Sequence, residues 1–257
     1  MPLLIGTSGW QYRHWRETFY PRGVAQAKWL EYYAARFATV ESNAAFYRLP
    51  DASTFAAWAE RTPDDFIVAV KASRYLTHIK RLTEPEEPVK RLVERARHLG
   101  GKLGPILLQL PPTLPLELDR LERTLDAFPA GMRIAVEFRH RSWFTDEVRQ
   151  ALAKREVALC LADRRGPATP VWRTADWTYL RFHTGRATPS PCYGRQALAA
   201  WVTRLRDCWS PDEDAYVYFN NDHRACALRD ARLFALAARR ADWTATRVPA
   251  ADEVRLG

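Results

Sequence analysis

The sequence predicts an α/β fold of the TIM type, a (β/α)8-like barrel formed by a single domain over residues 1–257. Three observations predict it. Short apolar runs recur along the chain, most are followed by a segment of helical pattern, and eight such units fit the usual length of this barrel. Alternating strands and helices favour a parallel sheet with right-handed crossovers. An open doubly wound sheet is the alternative, but no G-x-G-x-x-G follows the first run.

Eight apolar runs of strand length predict the strands, because each is four to eight residues long and bounded by polar or turn-forming residues. They are "LLIGTSG" (3–9), "ATVESNA" (38–44), "FIVAVKAS" (66–73), "PILLQLP" (105–111), "RIAVEFR" (133–139), "VALCLAD" (157–163), "WTYLRFH" (177–183) and "AYVYFNN" (215–221).

Seven segments with apolar residues three and four positions apart predict the helices, and several open with Asp, Ser or Thr, which cap helix N-termini. They are residues 25–37, 51–62, 86–100, 116–128, 145–155, 195–208 and 224–240. After the sixth strand, residues 164–176 contain Gly166, Pro167 and Pro170, which predict an irregular loop. We therefore expect the helix after strand six to be short or missing.

Composition limits the class of protein. The chain is 47% hydrophobic, and no stretch approaches the roughly 20 apolar residues of a membrane helix. We expect a cytoplasmic protein with no membrane partner, and the oligomeric state is left open. The formal charge of +9 suggests a polyanionic partner, although Arg supplies 33 of the 39 basic residues, a bias that a G+C-rich genome also produces.

The four cysteines form no C-x-x-C pair, which argues against a disulfide framework or a structural zinc site and fits a reducing compartment.

The strands have one apolar face and one face that becomes polar towards the C-terminal end. Successive side chains of a strand point to opposite faces, so Val136 and Phe138 face one way and Glu137 and Arg139 the other. In a barrel the polar ends would meet at the C-terminal mouth, where such folds hold their active sites. Asp163 has the opposite parity and is expected at the rim. The predicted polar set is Glu41, Asn43, Lys71, Gln109, Glu137, Arg139, Arg181, His183 and Asn220.

This set predicts a site for an anion. Glu137, Glu41 and His183 are the catalytic candidates, because carboxylates and imidazole transfer protons, and Lys71, Arg139 and Arg181 would bind the anion. The alternative is that the glutamates only form salt bridges with these cations. No metal and no cofactor is expected, since three cations surround the few possible ligands and no nucleotide-binding motif is present. The other predicted ligand-binding residues are Asn43, Gln109, Asn220, Trp10, Tyr47, Trp143, Arg186 and Tyr193.

Eight stretches together resemble the YecE-like family, domain of unknown function 72, in order from about residue 3 to 238. They are "GTSGWQY", "VESNAAFYRLP", "VKASRYLTHIKRL", "LGPILLQLPP", "AVEFRHRSWF", "LCLAD", "YLRFH" and "YVYFNND". The resemblance implies a TIM-type barrel and a bacterial or archaeal cytoplasmic protein, without an established activity. The family barrel is similar to that of endonuclease IV, which implies nucleic acid as a ligand. This chain lacks the many His and acidic ligands of that enzyme's trinuclear zinc site, and Ala44 and Ala45 stand where the family more often has Asn-Ser or Asn-Thr.

Two functions are therefore expected. The first is a metal-independent hydrolase, lyase or isomerase that binds an anionic, phosphate-bearing sugar, nucleotide or related ligand at the mouth. The alternative is a nucleic-acid-binding protein or nuclease with a fold resembling endonuclease IV. A deep, closed pocket would favour the first function, and a continuous basic groove across the mouth would favour the second.

Overall fold

The structure is a computed structural model that describes residues 3–165 and 169–254. Eight parallel strands form one sheet in the order β1-β8-β7-β6-β5-β4-β3-β2, which curls into a nearly closed barrel. This confirms the predicted TIM-type fold, and each strand lies within or overlaps its predicted run. The strands are β1 Leu3–Thr7, β2 Thr39–Ser42, β3 Ile67–Lys71, β4 Leu103–Gln109, β5 Ile134–Glu137, β6 Ala158–Asp163, β7 Thr178–Phe182 and β8 Ala215–Phe219.

Eight α-helices accompany these strands in the described ranges, and seven of them fall in the predicted helical segments. They are α1 Trp29–Ala34, α2 Ala44–Tyr47, α3 Ala52–Glu60, α4 Glu86–Ala96, α5 Leu118–Asp126, α6 Asp146–Lys154, α7 Arg195–Arg206 and α8 Cys226–Arg240. The short α2 was not predicted. Between β6 and β7 the described residues form no helix, as expected, although Gly166 and Pro167 lie outside them. Within the described chain no helix is long and apolar enough to cross a membrane.

The barrel closes between β1 and β2 through a side chain. Over the described residues no strand ladder joins these two strands. Instead, the buried Tyr33 hydroxyl accepts a hydrogen bond from the Thr7 backbone N–H at 3.0 Å and donates one to the Thr39 carbonyl at 3.1 Å. Gly6 permits this close approach, because a Cβ there would lie 2.3 Å from the Thr39 carbonyl oxygen. Tyr33 thus satisfies backbone groups that a strand partner would otherwise satisfy.

The strands have the two faces that the alternation predicts. Val68, Val136 and Leu180 belong to a large apolar layer between the barrel and the helices. Residues of the other parity, such as Leu107 and Tyr179, form a smaller apolar cluster inside the barrel. This inner cluster combines small side chains of β3, β5 and β6 with aromatic side chains of β7 and β8, so the polar residues at the strand ends lie above a packed apolar layer.

The cysteines correct one expectation. Cys192, in the loop after β7, forms a disulfide with Cys226, the first residue of α8. Cys160 and Cys208 are free. Two cysteines 34 residues apart give no local spacing signal, so the sequence does not predict this pair. Because disulfides are uncommon in a reducing cytoplasm, the cysteine content no longer supports the expected location.

Candidate functional site

A cavity of about 680 Å³ opens at the C-terminal end of the barrel. It lies over the ends of several strands and is bordered by the loop after β1, by α2 and by the segment after β3. Ser8, Trp58 and His78 also line it, although none was among the predicted site residues. Ser8 has the inward parity of β1 and could have been found that way, whereas Trp58 comes from α3 and carried no signal. Eight predicted residues line this cavity, namely Trp10, Asn43, Tyr47, Lys71, Gln109, Arg139, Arg181 and Asn220.

An ion-pair network of three buried side chains forms the floor of this cavity. Arg181 is 1% exposed and reaches both Glu41 and Glu137, which are fully buried. Its Nη2 donates to Glu41 Oε1 at 2.7 Å, and its Nη1 donates to Glu137 Oε2. The Tyr179 hydroxyl donates to the other Glu41 oxygen at 2.7 Å. The salt bridges that the sequence left as an alternative are therefore present between these residues.

The second oxygen of Glu137 faces two further groups. Arg139 Nε donates to Glu137 Oε1 at 2.8 Å, and His183 Nε2 lies 3.7 Å from the same oxygen. Asn220 Nδ2 lies 3.1 Å from His183 Nδ1. Because the amide donates to Nδ1, these partners assign the proton of a neutral His183 to Nε2, directed at the carboxylate. The three predicted catalytic residues, Glu41, Glu137 and His183, therefore lie directly behind residues that line the cavity, but they do not line it themselves.

The protonation states of these groups follow from burial and from Arg181. Burial raises the pKa of a carboxyl group, but Arg181 and the neighbouring cations and hydrogen-bond donors together outweigh it, so the pKa of Glu41 is lowered and that of Glu137 lies well below its usual value. Burial lowers the pKa of His183, although Glu137 opposes that shift. At neutral pH both carboxylates are ionised and the imidazole is neutral. Glu41 and Glu137 thus hold no proton to donate as general acids.

Lys71 is a buried cation with no carboxylate partner among the described residues. It ends β3, is 8% exposed and lines the cavity. Its Nζ lies 3.9 Å from the centre of the Phe46 ring, and in the described residues it forms no salt bridge within 4.0 Å. Burial and the neighbouring Arg181 lower the pKa of Lys71 to about 8, although Glu41 and Glu137 pull it upwards. The ammonium form therefore predominates at pH 7.

The charge balance of the cavity is positive. Lys71, Arg74, Arg139 and Arg181 carry four positive charges against the two floor carboxylates, which leaves a balance of +2. His78 adds no charge at neutral pH, because burial and the nearby Lys71 lower its pKa to about 4. A partly enclosed cavity with this balance attracts anions.

Aromatic rings border the same opening. The Trp10 and Trp58 rings meet edge to face with centroids 5.2 Å apart, and Phe46 contacts Tyr47 in the same way at 5.2 Å. Tyr47 is 76% exposed, so its ring is free to stack on a ligand. Phe46 and Tyr47 belong to α2, whose four residues are too short for helical periodicity to reveal.

Three predicted ligand-binding residues lie outside this cavity. Trp143 is fully buried, where it stacks on Phe138 with centroids 4.7 Å apart and donates from Nε1 to the Leu114 carbonyl at 2.9 Å. Tyr193 is buried, and its hydroxyl donates to the Asp163 carbonyl at 3.1 Å. Arg186 is exposed but does not line the cavity. The loops after β5 and β7 turn these side chains away from the mouth, so we leave them out of the candidate site.

Asp163, which was expected at the rim, lies outside the cavity as well. Asp163 accepts hydrogen bonds from the Tyr193 hydroxyl at 3.2 Å and from Trp201 Nε1 of α7, so it contacts the helix layer instead of the cavity.

Among residues 3–165 and 169–254, no three His, Cys, Asp or Glu side chains group together as metal ligands would. Whether the protein needs a metal stays a prediction for elemental analysis.

Comparisons with known proteins agree with the fold and with the motifs. A family model described as "Protein of unknown function DUF72" matches residues 4–253. The chain is 26% identical over 254 residues to the UPF0759 protein YunF of Bacillus subtilis (strain 168), covering 86% of this chain and 89% of that protein.

Solved structures show the same architecture. The crystal structure of a DUF72 family protein from Thermotoga maritima MSB8 matches with a TM-score of 0.80 and 26% identity, over 93% of this chain and 100% of that chain. A DUF72 family protein from Enterococcus faecalis V583 matches with a TM-score of 0.76 and 19% identity, over 92% and 95% of the two chains, and shows the fold alone. The chain therefore belongs to the DUF72 family, the YecE-like family that its sequence motifs resemble.

Proposed function

We propose that this protein binds an anionic, phosphate-bearing ligand with a sugar or base component in the mouth cavity, as a metal-independent hydrolase, lyase or isomerase. The observation that carries the proposal is Lys71, a buried ammonium that faces the cavity without a carboxylate partner among the described residues. Burying a charge is costly unless an opposite charge accompanies it. An anionic ligand would supply that missing charge.

Arg139 supports the same conclusion. It uses Nε to bind Glu137, whereas its two Nη atoms donate no hydrogen bond within the described part of the chain. Its side chain is partly exposed at the cavity, so these donors are available to a ligand. A phosphate group accepts charge-assisted hydrogen bonds from Arg and Lys together, and such bonds are the strong ones in proteins.

The remainder of the cavity suits a sugar or a base. Its volume of about 680 Å³ lies within the range of small-molecule sites, roughly 300 to 1,000 Å³. Gln109 and Asn220 offer amide groups for hydroxyl recognition, and the buried Asn43 Oδ1 atom has no hydrogen-bond partner among the described residues. Trp10 and Tyr47 offer ring faces at the opening.

The catalytic candidates have unequal support. Glu137 and Glu41 are ionised and already bound to Arg181, which favours a role in fixing Arg181 over a role as general acid. His183 is neutral at physiological pH, and its contact with Asn220, which lines the cavity, makes it the candidate group that can both accept and donate a proton. We therefore rank His183 ahead of the two glutamates as the group that moves protons.

Isothermal titration calorimetry with inorganic phosphate, a nucleoside monophosphate and a short DNA oligonucleotide tests the proposal. Lys71→Met should weaken phosphate and nucleotide binding by about 10- to 100-fold, because a charge-assisted hydrogen bond contributes about 1.5 to 3 kcal/mol. Lys90→Met is the matched control, since Lys90 is exposed on α4 away from the cavity. Absence of anion binding in the wild type, or equal affinities in the two variants, would contradict the proposal.

A second candidate is nucleic-acid binding at the rim. The observation that favours it is the exposure of Tyr47 and Tyr75 near the exposed Arg74, because ring faces beside a cation bind single strands by stacking. This function predicts that the oligonucleotide binds more tightly than the mononucleotide and with a steep salt dependence. It also predicts that Tyr47→Ala reduces oligonucleotide binding more than Lys71→Met does. The opposite order supports the cavity ligand.

A further inference from the structure

Building on the proposed function, we propose that Lys71 is a nucleophile that forms a Schiff base with the carbonyl carbon of a phosphate-bearing aldehyde or ketone. This assigns Lys71 a covalent role and assigns the ligand a chemical class. Three features of the cavity support this role: the location of the amine, the groups that surround it, and the arginines that remain free to hold the phosphate.

Lys71 lies at the C-terminal end of a barrel strand, where its amine can reach a substrate in the cavity. It is the last residue of β3 and points towards the axis, beside Leu107 of β4 in the strand register. Its stem is buried, and its Nζ meets the cavity against the Phe46 ring. No carboxylate in the described residues pairs with this amine, so no salt bridge has to break before it reacts.

The surroundings favour the unprotonated amine that a nucleophilic attack requires. Burial and the positive charge of Arg181 lower the pKa of Lys71 to about 8. At pH 7 about one in ten Lys71 amines is then neutral, compared with about one in 2,500 for an exposed lysine with a pKa near 10.4. Burial in an apolar pocket and proximity to another cation are the two means by which proteins activate lysine amines. The face of the Phe46 ring opposes this effect, because it stabilises the ammonium form.

The other cations leave Lys71 free for this role. Arg139 and Arg74 line the same cavity and can hold a phosphate group, and Arg181 is bound to the floor glutamates. A ligand that has both a phosphate and a carbonyl group can therefore place one at the arginines and the other at Lys71. If Lys71 served only as a cation, an arginine at this position would do the same work with no depressed pKa.

The chemical step balances without a further reactant. The lone pair of Nζ forms a C–N bond to the carbonyl carbon, the C–O bond breaks, and the oxygen leaves as water with protons from the amine. Overall, one ammonium and one carbonyl group give one protonated imine and one water, with a single positive charge on each side. A protonated imine withdraws electrons from the adjacent C–H and C–C bonds, which lyases and isomerases break. Among the proposed reaction classes, this favours a lyase or an isomerase over a hydrolase.

Borohydride trapping tests the inference on the full chain. Pyridoxal 5′-phosphate is the probe, because it is a phosphate-bearing aldehyde, and pyridoxal is the matched probe without phosphate. After reduction, peptide mapping reports the labelling of each of the six lysines as a function of pH and of added inorganic phosphate. Lys71→Arg is the matched variant, since it keeps the positive charge but removes the nucleophilic amine. The change in melting temperature on adding phosphate measures anion binding separately.

We expect Lys71 to be labelled about tenfold or more faster than Lys90, with a half-maximal rate near pH 8 and protection by phosphate. Pyridoxal should label Lys71 more slowly than pyridoxal 5′-phosphate does. The Lys71→Arg variant should keep the shift in melting temperature that added phosphate causes, here called the phosphate shift. Labelling of Lys71 no faster than of Lys90, alongside a normal phosphate shift, would overturn the Schiff base and leave the proposed function standing. Absence of both the phosphate shift and phosphate protection in the wild type would overturn the proposed function itself. The wild-type map decides these outcomes even if the variant does not fold.

Discussion

Replacing Arg181 by methionine would leave two buried carboxylates without the cation that contacts both of them. Arg181 is 1% exposed, and Glu41 and Glu137 are fully buried. Methionine fills much of the same volume but carries no charge. Breaking a buried ion pair by removing one partner costs about 3 to 5 kcal/mol, because the remaining charge stays in a poorly solvated site. For a chain of this size, that loss lowers the melting temperature by about 6 to 20 °C.

The pH dependence of this loss identifies its cause. In the wild type the pKa values of Glu41 and Glu137 are lowered on folding, so their stabilising contribution is present above the unfolded pKa near 4.3 and is lost as pH falls. Without Arg181 burial predominates, and the folded-state pKa of each carboxyl should rise instead. The carboxyls of the variant then bind protons on mild acidification, so the difference in stability should be large near pH 7.5 and smaller near pH 5.

Thermal unfolding at both pH values measures this prediction. Arg149→Met is the control, because Arg149 is exposed on α6, and surface substitutions of this kind change stability by about 0.5 kcal/mol or less. Arg181→Lys should recover part of the loss, since it restores a charge but not the two-sided guanidinium contact. If Arg181→Met unfolds at the temperature of Arg149→Met, or if its deficit is equal at both pH values, the buried network does not stabilise the fold as described.

Three further predictions concern the metal, the thiols and the charge of Lys71. Elemental analysis of protein purified without chelator should find no stoichiometric zinc, manganese or iron, and a bound metal would revive the nuclease alternative. Thiol titration of the unfolded, unreduced chain should detect two thiols, those of Cys160 and Cys208, whereas four would exclude the bond between Cys192 and Cys226. Sulfate affinity should fall as pH rises through about 8, because Lys71 loses its positive charge there, and Lys71→Met should remove that dependence. Sulfate does not titrate in this range, so an unchanged wild-type affinity between about pH 7 and pH 9 would contradict the assigned role of Lys71.

Strand alternation explains how much of the site the sequence could predict. Because alternate side chains of a strand share a face, the order Tyr179, Arg181, His183 already directs these residues towards one face, and the structure has them there. Alternation does not say which residues pair across the axis. Arg181 of β7 reaches Glu41 of β2, which is not a neighbouring strand, and that contact depends on the radius and stagger of the barrel.

Strand alternation could not predict where the side chains of the loops lie. Trp143 follows β5 closely enough to border the mouth, but its ring packs back on Phe138, where it is fully buried. Tyr193 turns towards Asp163 in the same way. The Cys192 loop meets α8 only after the chain has folded, so neither spacing nor composition indicates the disulfide. Tertiary packing decides these positions, and no local pattern encodes it.

The position of a bound anion is the sharpest test of the proposed function, because that function places an anion beside Lys71. Crystals soaked in selenate and measured at the selenium absorption edge would locate the anion by its anomalous signal. We expect a peak at the mouth within about 2.7 to 3.2 Å of the Lys71 Nζ atom and of an Arg139 Nη atom. Peaks confined to arginines on the outer helices, with no peak in the mouth cavity, would contradict the account.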